Sequence, residues 1–359
     1  MKKALLVMTV MGAVGMAQAQ ASVTLYGTLD TGVGFKSLKN KDTGVKASRS
    51  GLFNGVWSSS VWGIRGSEDL GDGLSVTFKL ESGFDVQTGQ SSGGRLFKTT
   101  TLGLNSREWG SLTFGRVGNA VQNYAGFIAG PDDEEGLSNI ENTFSAAGAN
   151  KADNTIVYAS PTFNGLSFAV GHSFNTHGPQ SWDNSDNSKL ITSALGYANG
   201  PLTLALGYDR LKAGNWEKAV HSWIAAGSYD FDVLTLAMAV GQDINGRQSG
   251  LGSFAPSPPF TFWNAGYIPD FKTTGFTINA TVPINPASSA IVGWSVSRAS
   301  SSFNEAYGLG KRQQSVYSAG YSYNLSKRTS LYALGAYVTG FSFQNVRGQQ
   351  FIVGLNHNF

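Results

Sequence analysis

Apolar and polar residues alternate with a period of two through much of the chain. Within 22–35, Val23, Leu25, Leu29, Val33 and Phe35 share one parity, while Thr24, Tyr26, Thr28 and Asp30 share the other. In an extended strand those parities are opposite faces. Leu74, Val76, Phe78 and Leu80 alternate with Ser75, Thr77, Lys79 and Glu81, and Leu202, Leu204, Leu206 and Tyr208 alternate with Thr203, Ala205, Gly207 and Asp209. The same pattern recurs around Leu234–Val240 and Tyr317–Tyr323, and again at the end through Phe351, Val353, Leu355, His357 and Phe359.

The connections between these strands fall into two kinds. Short turns lie at 67–73, 105–110, 160–165, 199–201, 230–232, 283–287 and 325–328. Longer polar or glycine-rich stretches lie at 37–55, 85–94, 118–153, 175–188, 211–218, 243–270, 300–312 and 339–348. Fifteen connections join sixteen strands, with both chain ends on the short-turn side. A soluble sandwich also alternates, but it does not segregate its loops by length. An even strand number, about 10 residues per strand, and short turns opposite long loops predict a 16-stranded antiparallel transmembrane β-barrel. Sixteen strands enclose more space than side chains fill, so a water-filled lumen is expected.

Composition agrees. The chain of 359 residues has 46 Gly, 22 Phe, 13 Tyr, 8 Trp, no Cys and only 14% charged residues. Soluble domains carry about 25% charged residues. Beyond the first twenty residues no run reaches the roughly 18 apolar residues of a spanning helix, which excludes a polytopic helical protein. The absence of Cys excludes a disulfide scaffold, a thiolate metal site and a Cys nucleophile. Aromatic residues near strand ends (Tyr158, Phe163, Tyr197, Trp223, Tyr229, Tyr323 and Phe359) fit interfacial girdles.

The first residues read as an export signal. Lys2 and Lys3 are followed by an apolar stretch from Ala4 to Met16 and by Ala17-Gln18-Ala19, a small-residue cleavage site. Cleavage is expected after Ala19, with Ala21 as the alternative, leaving residues 20–359 as the barrel. Losing Lys2 and Lys3 leaves 24 basic and 23 acidic residues, a net of +1, which argues against a nucleic-acid partner.

Several segments resemble the general porins of Gram-negative β-proteobacteria. They include Ser22-Val23-Thr24-Leu25-Tyr26-Gly27, Trp62-Gly63-Ile64-Arg65-Gly66-Ser67-Glu68-Asp69-Leu70-Gly71-Asp72-Gly73-Leu74 and Leu80-Glu81-Ser82-Gly83-Phe84. Further matches are Leu112-Thr113-Phe114-Gly115-Arg116, Asn154-Thr155-Ile156-Val157-Tyr158-Ala159-Ser160-Pro161, Leu325-Ser326-Lys327-Arg328-Thr329 and the ending Val353-Gly354-Leu355-Asn356-His357-Asn358-Phe359. The resemblance implies an outer-membrane homotrimer in which each barrel has its own pore, narrowed by an inward-folded third long loop. It also implies that Phe359 is the signal read by the outer-membrane assembly machinery. The acidic side of the constriction would then be Asp132, Asp133, Glu134 and Glu135, with Glu141 beyond. Their bare reading is a solvated charge run. The spacing does not match an EF-hand Ca²⁺ loop, and no metal or other cofactor is expected.

In that family basic side chains on the barrel wall face the acidic loop. Here the three matching positions are Val61, Thr99 and Val157, and the alternation places each on the lumen side. Lys79 faces the lumen by the same parity, with Arg65, Arg95, Lys98 and Arg116 nearby in sequence. Parity puts Lys98 and Arg116 on the outward face, at strand ends. One or two charges in a narrow, low-dielectric passage set its selectivity. The sequence therefore predicts a constriction with a less basic, partly apolar wall, and a pore less anion-preferring than its relatives.

Passive diffusion of small hydrophilic solutes and ions through the outer membrane is the function this pattern predicts. The alternatives are a channel specific for weakly polar or aromatic solutes, and an adhesin or structural barrel. An enzyme is not expected: none of the four histidines lies in an H-E-x-x-H motif, and Arg312 stands where a phosphate-binding loop after Gly310-Lys311 needs Ser or Thr. The stretch Phe254–Trp263 is apolar and Pro-rich, and a self-packed loop is the simplest expectation for it.

Overall fold

The computed structural model describes residues 22–129, 136–145, 151–247, 266–301 and 310–359. The signal segment, the acidic run Asp132–Glu135 and the Pro-rich stretch Phe254–Trp263 lie outside the described residues.

The strands are β1 (Ser22–Asn40), β2 (Lys46–Asn54), β3 (Val61–Gly71), β4 (Leu74–Gly83), β5 (Thr99–Ser106), β6 (Gly110–Gly118), β7 (Lys151–Ala159), β8 (Leu166–Ser173) and β9 (Lys189–Asn199). They continue as β10 (Leu202–Lys212), β11 (Val220–Asp230), β12 (Thr235–Gly246), β13 (Tyr267–Asn285), β14 (Ser288–Ala299), β15 (Gln313–Asn324), β16 (Thr329–Thr339) and β17 (Val346–Asn358). A short helix, α1 (Ala120–Ala125), lies in the third long loop.

Apart from β2 and β3, which do not pair with each other, consecutive strands pair antiparallel, and β1 closes on β17 from Thr28↔Asn358 to Asn40↔Val346. β2 and β3 share one edge of β1: Thr31–Lys39 pairs with β2 and Ser22–Thr28 with β3. The seventeen strands therefore occupy sixteen positions around a closed barrel. Closure is what a lipid environment demands, because hydrocarbon offers no partner to an open edge.

The alternation sorts the two faces. In β10, Leu204 and Leu206 are 44% and 54% exposed, while Ala205 between them is 2% exposed and Asp209 is fully buried. The exposed apolar side belongs to lipid. Trp109, Phe163, Tyr229, Phe231, Tyr323 and Phe359 are exposed near the short turns and form an aromatic girdle at that end. The turns themselves are tight. Asn164 and Gly165 both have positive φ, the geometry a two-residue hairpin needs to match strand twist.

The short connections fall where the alternation predicts them, but the first long loop does not. The stretch 37–55 is mostly strand: β1 runs on to Asn40, and a turn at 41–45 returns it into β2. Lys36 lies opposite Arg49 and Lys39 opposite Lys46. These polar rungs lack the apolar alternation that marks a lipid-facing strand, so the hairpin is invisible to that signal. The chain then leaves the sheet at 55–60, six residues standing opposite only Leu29 and Asp30.

The barrel closes at its last residue. Gly27 N–H donates to the Phe359 carbonyl at 3.1 Å, and Phe359 N–H donates to the Gly27 carbonyl at 3.0 Å. The Phe359 ring covers Gly27 so closely that a Cβ there would lie 2.3 Å from it. Phe359→Ala is expected to weaken this seam by about 0.2–1 kcal/mol, the range for one cross-strand side-chain contact. Heating samples before electrophoresis checks it: the folded band should disappear at a lower temperature than in the unaltered protein.

Candidate functional site

The third long loop runs along the inner wall. Asn119 caps α1, its side chain accepting from Gln122 N–H at 2.8 Å. The Asn119 side-chain amide also donates to the buried carboxylate of Asp209, and the Thr192 hydroxyl accepts from Ala120 N–H at 2.9 Å. A side chain replaces water at each of these helix-end groups. Val121, Ala125, Ile128 and Phe144 then pack with Ala205, Ile224, Ala226, Ala237 and Ala239. The wall residues are small because the loop fills the space above them: a Cβ at Gly207 would meet Val121 at 2.5 Å, and one at Gly275 would meet Phe144 at 2.7 Å.

Polar anchors hold the rest of the loop. Asn279 donates to the Ile128 carbonyl, and Leu137 N–H donates to the Gln350 side chain at 3.0 Å. Ser145 donates to Asp243, which also accepts from Ser222 at 2.7 Å. Arg247 is 1% exposed, with Nε 3.2 Å from Asp243 and a terminal nitrogen donating to the Glu141 carbonyl at 2.8 Å. The described parts of the loop thus cover the inner face from β9 through β13 and, by way of Leu137, reach β15–β17.

A second inward segment covers the neighbouring wall. Residues 55–60 lie on the inner face, where Val56 and Trp57 pack with Phe53, Tyr332, Leu334 and Ile352. The Trp57 ring stacks on Tyr332 with centroids 5.5 Å apart.

The wall from β3 to β7 carries a different set of side chains. Glu81 is its centre. It accepts from the Tyr26 hydroxyl at 2.9 Å and the Thr99 hydroxyl at 3.3 Å, and it pairs with Lys79 at 2.7 Å and Lys151 at 3.7 Å. The Arg65 guanidinium lies over the Tyr26 ring, 4.9 Å from its centroid. Lys98 Nζ donates to Ser59 at 2.8 Å. Higher on the same wall Asp153 pairs with Arg116 at 2.6 Å and Arg95 at 3.0 Å, and Arg116 also donates to the carbonyls of Lys98 and Lys151. Six basic side chains thus stand with two carboxylates on one side of the bore.

A closed sixteen-position barrel, narrowed from within and charged on one wall, matches known proteins over its whole length. The sequence profile of the Gram-negative porin family fits residues 4–340. An outer membrane porin protein of Bordetella pertussis is 36% identical, with all of both chains covered. The chain belongs to the Gram-negative porin family. Outer membrane porin protein 32 of Delftia acidovorans is 29% identical over 92% of this chain and 88% of its own. Among solved structures, an anion-selective porin from Comamonas acidovorans superposes with a TM-score of 0.67 at 23% identity, covering 95% of this chain and all of its own. OmpF of Salmonella typhi superposes with a TM-score of 0.66 at 16% identity over 94% of this chain and 97% of its own. This porin is a diffusion channel of the outer membrane for small hydrophilic solutes and ions, and not an enzyme.

The residues singled out in the sequence distribute unevenly in the porin. Lys79, Arg65 and Thr99 come together around Glu81 and Tyr26. Val61 sits on the same wall, opposite Gly83 and Thr28. Val157 is 6% exposed, packed with Ala120, Ala169 and Ala194, so the start of the third loop covers it. Glu141 lies where that loop meets Arg247. The outward placement of Lys98 and Arg116 is corrected. Lys98 precedes the first residue of β5, where parity has no hold, and it reaches the inward Ser59. Arg116 lies at a bulge between Gly115 and Val117 and turns to Asp153. Lys151, Glu81 and Asp153 were missed as wall residues; Glu81 was legible by parity with Lys79, whereas the other two share the parity of Val157 but fall in the stretch 118–153 read as a loop, part of which is the start of β7.

Arg247→Met would leave Asp243 buried without its cation, a loss of about 3–5 kcal/mol for breaking a buried pair. The expected outcome is a loosened third loop: noisier open-channel current and faster chymotrypsin cleavage after Phe127 or Phe144, with the barrel itself intact.

Proposed function

We propose that this porin favours small anions over cations, drawing them along the wall from β3 to β7. One observation carries the reading. The two inward segments cover much of the rest of the inner face, and the wall from β3 to the first residue of β7 holds Arg65, Lys79, Lys98 and Lys151 around a single carboxylate, Glu81. In a narrow bore flanked by low-dielectric walls such a charge excess acts over the whole cross-section. The solved neighbour from Comamonas acidovorans is described as anion-selective, which agrees with this direction. The weaker anion preference expected from Val61, Thr99 and Val157 gives way, because Lys98 and Lys151 supply charge at positions the alternation did not assign to the lumen.

We assign the opposing negative charge to the third-loop carboxylates Asp132, Asp133, Glu134, Glu135 and Glu141, giving a field across the pore. Three such barrels form a homotrimer in this reading, as the trimer form of OmpT from Vibrio cholerae is described. Phe359 at the closing seam serves as the mark for outer-membrane assembly.

Zero-current potentials across a KCl gradient in planar bilayers test the selectivity. The unaltered porin should prefer chloride, and replacing Lys79, Lys98 and Lys151 together by Gln should lower the chloride-to-potassium ratio about fivefold, equivalent to about 1 kcal/mol. A cation preference in the unaltered protein would reject the reading.

A further inference from the structure

The segment 55–60 is built as a rigid inward projection, and its hub is Asp30. This residue is fully buried on the inner face of β1. One carboxylate oxygen accepts from Val56 N–H at 2.7 Å, Trp57 N–H at 3.2 Å and the Tyr332 hydroxyl at 2.9 Å. The other accepts from the Asn356 side chain at 2.9 Å. The Asp30 backbone completes the clamp: its N–H donates to the Ser60 hydroxyl at 3.1 Å, and its carbonyl accepts from that hydroxyl at 3.0 Å and from Gly55 N–H at 3.1 Å. Burying a carboxylate is costly unless its lone pairs are satisfied. Here two of the four donors, Val56 and Trp57, belong to the projecting segment and two, Tyr332 and Asn356, to the wall, so the carboxylate ties the projection to the barrel.

The clamp leaves a defined tip. Gly55, Val56 and Ser60 are buried, while Trp57, Ser58 and Ser59 stay partly exposed. Trp57 is immobilised by stacking on Tyr332, and Ser58 accepts from Asn356 at 2.6 Å. Ser59 accepts from Lys98, which brings an ammonium group to the same tip. An indole surface, two hydroxyls and a cation therefore meet within three consecutive residues and one neighbouring side chain.

We propose that the segment 55–60 is a second constriction element beside the third loop, and that Trp57, Ser58 and Ser59 with Lys98 form a subsite selecting small anions that carry a flat apolar group. Aromatic carboxylates are the fitting class: the carboxylate meets Lys98 and the serine hydroxyls, and the ring lies against Trp57. A flat ring gains from an aromatic surface what a puckered ring or a methyl group does not. Because Trp57 is already fixed, little ordering opposes the contact. The attraction is weak enough for the solute to leave again, as conduction requires.

The proposal rests on the channel reading and deepens its anion preference. Its test uses purified full-length porin in planar bilayers, with sodium benzoate, cyclohexanecarboxylate and acetate as probes. Each is measured by the concentration that halves the chloride current and by its permeability relative to chloride. Benzoate is expected to act at the lowest concentration, then cyclohexanecarboxylate, then acetate. Trp57→Ala should weaken the benzoate block about fivefold, the worth of one aromatic contact, and widen the open channel. Lys98→Gln should weaken block by benzoate and cyclohexanecarboxylate alike and keep their order. Asp30→Asn should lose the benzoate preference with a rise in conductance; Trp57→Ala and Lys98→Gln keep the test decisive where Asp30→Asn does not assemble. Equal action of the three anions on the unaltered porin, or a benzoate preference untouched by Trp57→Ala, overturns the proposal and leaves the anion-favouring channel standing. A porin that prefers potassium over chloride overturns the channel's anion reading and this subsite with it.

Discussion

A strand that crosses hydrocarbon must find every backbone hydrogen bond inside its own sheet, because lipid supplies neither donor nor acceptor. That demand sets the architecture of this porin. β1 gives one edge to β2 and β3 and the other to β17, so the sheet closes on itself. The last residue is part of the closure, paired through its backbone with Gly27 and covering it with its ring. The lipid-facing residues then need only be apolar, which frees the inner face to carry charge and small side chains.

A closed sheet of this girth would leave a bore too wide to discriminate among small solutes. The chain narrows it with its own connections. The third loop lies on alanines and glycines of β9 to β13, and the segment 55–60 lies on β1, β16 and β17. Both are fixed in the same manner: an apolar face against the wall, and buried carboxylates (Asp209 and Asp243 for the loop, Asp30 for the segment) that accept hydrogen bonds from it. Asp30, Asp209 and Asp243 therefore act as clamps, whereas Glu81 and Asp153 pair with the basic side chains of the opposite part of the wall. In the proposed reading the charges along the wall from β3 to β7 are mainly basic, and one of them, Lys98, meets the inward segment at Ser59.

The reading of the sequence was strongest where one rule governs many residues. Alternation gave the lipid face, the short turns and the number of strand positions, because lipid on one side and water on the other impose a period of two. It placed Lys79 and Thr99 on the wall they share with Glu81. It failed where the rule lapses. The hairpin of β1 and β2 continues largely as polar rungs, with too few apolar residues to show the alternation. Lys98 stands just outside β5 and Arg116 lies at a bulge, so parity misplaces both, while Asp153 shares the parity of Val157 but falls in the stretch read as the third loop. Val157 faces inward as expected but lies beneath α1.

The chain's pattern alone determined that it forms a closed, membrane-spanning barrel of sixteen strand positions, since period, turn spacing and composition are all local consequences of lying between lipid and water. Only the tertiary structure decided which part of the bore stays open. That depends on contacts between residues far apart in the chain, such as Asp30 with Tyr332 and Asn356, or Asp243 with Ser145. A carboxylate in a strand looks the same in sequence whether it lines the pore or clamps a loop; the difference lies in the donors that folding brings to it.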